Sequence, residues 1–202
     1  TAGTLQLNCE QNSHGIKLKS PPHSASASYT LTFPNDDGSS GQALTTNGSG
    51  VLTWANAGGT NTPSFHAYGT SGFQAIANAT NTVVNVSNEK FDSDNAFDTS
   101  TKRFTPQTAG KYFLYGNIAR DGNWSAYARL FLAVNGNTSG SETLFNTTDD
   151  SGGNGGVHVS GIIDMNGSSD YVELIVRHDG GGSKNLWNSG LINFFGGFRV
   201  LL

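Results

Sequence analysis

Short runs in which apolar and polar residues alternate, each closed by Gly, Asn, Ser or Pro, recur along the chain, and a period of two belongs to half-buried strands. Thr4-Leu5-Gln6-Leu7-Asn8, Gly15-Ile16-Lys17-Leu18-Lys19 and Tyr29-Thr30-Leu31-Thr32-Phe33 are examples near the start. Helices have little to work with. The 202 residues include one methionine and few stretches of Leu, Ala, Glu and Lys, the usual helix formers. Gly occupies 27 positions, Ser, Thr and Asn fill much of the rest, and charged residues make up only 13%. Gly, Asn and Ser supply the backbone angles that hairpins require. The sequence predicts an all-β protein.

Charge and cysteine usage exclude several partners. A net charge of −4 without a basic stripe leaves nothing to neutralise phosphates, so nucleic acid is not an expected partner. No apolar run approaches the about 18 residues of a membrane span, and no membrane insertion is expected. Cys9 is the single cysteine, which rules out an intrachain disulfide, and no Cys/His set has zinc spacing. Stability is therefore expected from packing or oligomerisation. A start at Thr1, with neither an initiator Met nor a signal-type apolar segment, reads as a trimmed or processed piece of a longer chain.

Two segments are expected, 1–60 and 61–202. In the first, Gln42-Ala43-Leu44 and Val51-Leu52-Thr53-Trp54 flank Thr46-Asn47-Gly48-Ser49-Gly50 as a hairpin. Short strands with one or two inward residues each build little core alone. This segment is expected to cover its apolar face with copies of itself, as a trimeric fibre shaft or collar. Ala57-Gly58-Gly59-Thr60-Asn61-Thr62-Pro63 supplies the boundary. Beyond it, strands are expected at 64–68, 82–86, 111–119, 126–134, 157–165, 171–178 and 192–202, a spacing that argues for a sandwich or jelly roll.

Within 63–202, Pro63-Ser64-Phe65-His66-Ala67-Tyr68 opens a series of motifs, followed by Phe97-Asp98-Thr99-Ser100-Thr101-Lys102-Arg103-Phe104-Thr105-Pro106 and Gly110-Lys111-Tyr112-Phe113-Leu114-Tyr115-Gly116. Val134-Asn135-Gly136, Ser169-Asp170-Tyr171-Val172-Glu173-Leu174 and Phe195-Gly196-Gly197-Phe198 complete it. In order and spacing this resembles the globular head of the complement C1q family, which shares its jelly roll with tumour necrosis factor. Ser169 departs from the Gly usual in that family. The N-terminal run Gly15-Ile16-Lys17-Leu18-Lys19-Ser20-Pro21-Pro22-His23, with Ser28 to Pro34 and Asp37 to Ala55, is similar to a stretch of tail-fibre-like proteins of marine bacteriophages.

Together the resemblances imply a homotrimeric virion fibre, or its tip, exposed on the particle and joined to other tail or baseplate proteins. The head would attach to a host surface polysaccharide or an outer-membrane protein without catalysis. A capsid-decorating or head-fibre protein and a polysaccharide depolymerase are the rival readings. Heads of this family trimerise through an aromatic face, which the resemblance places on Tyr112, Tyr115, Phe194, Phe195 and Phe198. Strand alternation, read by itself, turns about half of such residues into the monomer core.

For receptor contact, loops are the natural place, because binding residues are often held there by a rigid scaffold. Trp124 follows Arg120-Asp121-Gly122-Asn123, and Trp187 follows Lys184-Asn185-Leu186, so each indole has polar neighbours suited to a sugar. Burial is the competing role for each tryptophan, and surface contact is expected for one of the two. Asn123, Asp149, Asp150 and Lys184 complete the candidate receptor set. No cofactor is expected. Asp92, Asp94 and Asp98 lie in a stretch resembling a calcium loop, but it lacks the turn glycine and distal Glu of an EF-hand, and an ordinary polar loop is the other reading. His14, His23, His66, His158 and His178 are scattered, and none sits in a hydrolase motif.

Overall fold

A computed structural model describes residues 3–57, 61–122, 124, 127–139, 144–148, 155–188 and 192–201. The chain divides into two compact units, Thr1–Gly59 and Thr60–Leu202.

The first unit contains two separate hairpins. Strands β1 (Thr4–Asn8) and β2 (Gly15–Lys19) pair antiparallel, with Leu5 opposite Leu18 and Leu7 opposite Ile16. All four side chains are exposed. Strands β3 (Gln42–Thr46) and β4 (Leu52–Asn56) form the expected second hairpin. Its turn is fixed by the Asn47 carboxamide, which accepts from the Ser49 N–H at 2.8 Å, while Gly48 takes the positive φ of 82°. The strand expected at 29–33 reduces to a single bridge between Thr32 and Val51. Pro34 follows directly and has no N–H with which to extend a ladder. Leu52 is the one buried apolar side chain among this unit's described residues.

The second unit is a sandwich. Its strands are β5 (Ser64–Tyr68), β6 (Gly72–Ile76), β7 (Thr82–Val83), β8 (Asn88–Asp92), β9 (Phe97–Asp98), β10 (Arg103–Phe104) and β11 (Gly110–Asp121). Then follow β12 (Ala128–Val134), β13 (Leu144–Thr148), β14 (Gly156–Met165), β15 (Val172–His178), β16 (Lys184–Asn188) and β17 (Phe194–Arg199). A seven-stranded sheet runs β6-β16-β11-β17-β5-β8, with β14 also paired to β11. A six-stranded sheet runs β13-β12-β15-β10-β9, with β7 paired to β15.

Alternation along β11 decides what lies between the sheets. Tyr112, Leu114 and Ile118 point inward and are fully buried, whereas Phe113, Tyr115 and Asn117 between them are only part-buried. Phe65 stacks on Phe97 and Phe104 at ring-centroid distances of 5.0 and 4.4 Å and meets Phe195 edge-on at 4.9 Å. Each such side chain contributes about 1.5–3 kcal/mol through removal from water. Gly116 lets the sheets close, because a Cβ there would lie 2.3 Å from Leu174 Cδ1. On the far side of the six-stranded sheet, Phe131, Ala133 and Ile175 form a second small cluster with Val83. Strand β12 is therefore covered on both faces.

Candidate functional site

The outer face of the seven-stranded sheet carries an unbroken group of rings. Phe113 and Tyr115 from β11, Phe194 and Phe198 from β17, His66 from β5 and Phe91 from β8 all project there. Phe113 lies 5.6 Å from Phe198 and 6.2 Å from Tyr115, and Tyr115 lies 6.0 Å from both Phe194 and His66. Beside them on β14, Ile162 sits opposite Phe113 in register and is 56% exposed. Gly196 keeps the centre of the face flat, since a Cβ would collide with the Tyr115 ring. Large rings left partly wet in a contiguous patch mark a contact surface more than a random surface does.

Two residues expected in that face are corrected. Tyr112 and Phe195 are fully buried and point into the sandwich. Tyr112 is three positions from Tyr115, Phe195 is adjacent to Phe194 and three from Phe198, and odd separations on a strand place side chains on opposite faces. Tyr115, Phe194 and Phe198 remain on the outer face, and His66, Phe91 and Phe113 join them. Parity on β11 and β17 was enough to find Phe113. His66 and Phe91 needed the strand order, which brings β5 and β8 alongside β17.

The candidate receptor residues separate. Trp124 is fully buried, its ring 5.0 Å from the equally buried His178, so surface sugar contact is corrected for this residue. His178 Nε2 donates to the Ile76 carbonyl at 2.9 Å, and its Nδ1 accepts from the Gly180 N–H at 3.2 Å, which anchors the histidine against which the indole packs. Trp187 is 41% exposed on β16 and stands opposite Phe73 on β6, which is 62% exposed. Asn185 lies on the same face as Trp187, with Asp121 of β11 opposite it in register. Lys184 is three residues from Trp187 and faces the other way, with Leu186. Asn123, Asp149 and Asp150 lie outside the described residues.

Asn193, which no motif pointed to, holds the Trp187 ribbon in place. It is fully buried, its Oδ1 accepts from the Ala119 N–H at 2.7 Å, and its Nδ2 donates to the Trp187 carbonyl at 3.2 Å. One side chain thus ties β16 to β11. Phe73 was missed because β6 opens on Gly72 and alternates weakly.

The acidic loop spends its carboxylates locally. Asp92 accepts from the Phe97 N–H at 2.8 Å, and Asp98 accepts from the Ser100 hydroxyl at 2.6 Å and the Thr101 hydroxyl at 2.9 Å. The Ser100 hydroxyl, with the Ser100 and Thr101 groups around it, holds the Asp98 carboxyl down at about 2. Among the described residues, no group of three or more His, Cys, Asp and Glu side chains converges to hold a metal. A groove of about 730 Å³ in the first unit, lined by Phe33, Leu52 and Trp54, has Asp36 as its one ionisable lining side chain among the described residues.

This two-sheet arrangement is a β-sandwich with the jelly-roll fold, which solved structures of several other proteins share. Among solved structures, murine APRIL at pH 8.5 superposes with a TM-score of 0.50 at 11% identity, covering 68% of this chain and 98% of that one. The globular domain of zebrafish complement 1qA is 18% identical, covers 69% of this chain and 98% of its own, and has a TM-score of 0.46. Eiger TNF from S. frugiperda gives 13%, 68%, 92% and 0.45 for the same quantities. No protein-family model and no curated protein matches the chain.

Proposed function

We propose that the chain is a non-catalytic attachment protein: a homotrimeric virion fibre of a bacteriophage, or its tip, whose jelly-roll head binds a host surface polysaccharide or outer-membrane protein. The observation that carries the assembly is the outer aromatic face of the seven-stranded sheet. A face of part-buried Phe, Tyr and His side chains stabilises the protein only when something covers it, and a symmetric oligomer covers it with itself. The first unit makes the same demand. A hairpin that exposes Leu5, Leu7, Ile16 and Leu18 on one face has no core of its own, and isolated two-stranded hairpins are marginal in water.

The phage assignment rests on the N-terminal sequence pattern. Receptor contact is drawn to the β6–β16 ribbon, where Trp187 and Phe73 offer ring faces beside the amide of Asn185 and the carboxylate of Asp121. Such rings stack on the C–H faces of pyranoses while the polar groups meet hydroxyls.

The test combines mass and chemistry. Light scattering on the intact chain is expected to give a trimer. Incubated with host polysaccharide, the protein is expected to bind without releasing new reducing ends. A monomeric chain removes the assembly, and new reducing ends replace attachment with depolymerisation.

A further inference from the structure

The outer aromatic face contains one member that differs in kind from the rest. His66 lies in the middle of β5, opposite Phe91 of β8 and Gly196 of β17. Its ring is 5.6 Å from Phe194, 6.0 Å from Tyr115 and 6.4 Å from Phe91, and its Nδ1 is 3.1 Å from the Tyr115 hydroxyl oxygen. A neutral imidazole serves in such a cluster as one more flat ring. An imidazolium does not, because its charge loses water without gaining a counter-charge.

The groups that face it decide the sign. Strand β17 contributes Phe194 and Gly196, neither of which titrates. Strand β11 contributes Tyr115, whose ionisation burial pushes further up. Strand β8 contributes Phe91 and the cation of Lys90, while its Glu89 pairs with Ala67 across the bulge and is itself held towards the neutral acid by burial and by Asp92 and Asp98. Among the described residues, no neighbouring strand therefore supplies a carboxylate paired with His66. Burial, and then the Lys90 charge, hold the imidazole below the usual histidine range.

We propose that His66 is a proton-operated release for the trimer: neutral, it packs between copies of the chain, and protonation in mild acid places an unpaired cation in that contact and separates the subunits. The inference rests on the homotrimer proposed above. With the proton on Nε2, the Tyr115 hydroxyl donates to Nδ1. A second proton on Nδ1 removes that acceptor, so the hydroxyl must turn and the ring carries charge. A histidine whose protonation is suppressed further by assembly stabilises the trimer fully above the pKa it has in the separate subunit, itself below the usual histidine range, and that stability is lost as pH falls through that value. Each subunit brings one His66, so the loss is multiplied over the assembly.

The experiment is light scattering on the intact chain at about pH 7.5 and about pH 5, either side of the histidine range. Circular dichroism at both pH values separates dissociation from unfolding. The expected result is a trimer at the higher pH and a mass reduced to about a third at the lower, with the β spectrum retained. His66→Gln is expected to stay trimeric at both, and His158→Gln, altering an exposed outer-face histidine on β14, to dissociate like the unaltered chain. A trimer at both pH values overturns the switch and leaves the trimer standing, as does a His66→Gln protein that still dissociates in acid. A monomer at the higher pH overturns the trimer and the switch together. Loss of the β spectrum at the lower pH also overturns the switch.

Discussion

At the turn between β1 and β2, two neighbouring side chains change the chemistry of a third. Cys9 Sγ lies 3.5 Å from His14 Nδ1 and 3.6 Å from the Ser13 hydroxyl, and it accepts from the His14 N–H at 3.4 Å. The His14 side-chain contact, followed by Ser13, holds the fully exposed thiol at about 6, well below its ordinary value. Alkylation of Cys9 is accordingly expected to reach half its maximal rate near that pH. His14→Ala is expected to move the midpoint towards the about 8.5 of a free thiol, read as rate against pH. An unmoved midpoint would show that the imidazole is not responsible. Here the sequence placed Cys9, Ser13 and His14 within six positions, but only the hairpin closure, with the Cys9 N–H donating to the His14 carbonyl at 2.7 Å, brought them together.

At the scale of the element, the two indoles present opposite cases. Both have polar residues within the three positions before them, and nothing local decides which indole is buried. Trp124 is enclosed between the sheets beside His178, so Trp124→Ala is expected to cost about 3–5 kcal/mol in denaturant unfolding. Trp187 stands on the outer side of β16, where Trp187→Ala should cost about 1 kcal/mol or less and weaken polysaccharide retention about tenfold if ring stacking carries the contact. Equal stability losses for the two would contradict the burial difference. Most long strands of the second unit were legible from alternation, including 64–68 with its bounds, and 111–119 and 157–165 inside β11 and β14. The two-residue strands β9 and β10 were not, because a strand that short has no period to read and exists only through its partners.

For the whole molecule, the decisive question is which rings point where. Phe198→Glu puts a charge on the outer face and is expected to yield a folded monomer by light scattering, with the β circular-dichroism spectrum retained. Phe195→Ala, three residues away and inside the sandwich, is expected to cost about 3–5 kcal/mol. A Phe198→Glu trimer would place the assembly contact elsewhere. What the sequence determined by itself was the fold class, since period-two patterning, turn chemistry and the lack of helix formers all act over a few residues. It also supplied the motif order that makes the second unit a jelly roll. Only the tertiary structure decided that Tyr112, Phe195 and Trp124 belong to the core, that Phe73 stands opposite Trp187, and that His66 lies among aromatic rings. Those facts depend on strand order and on which sheet face meets the other sheet, and such pairings join residues far apart in the chain.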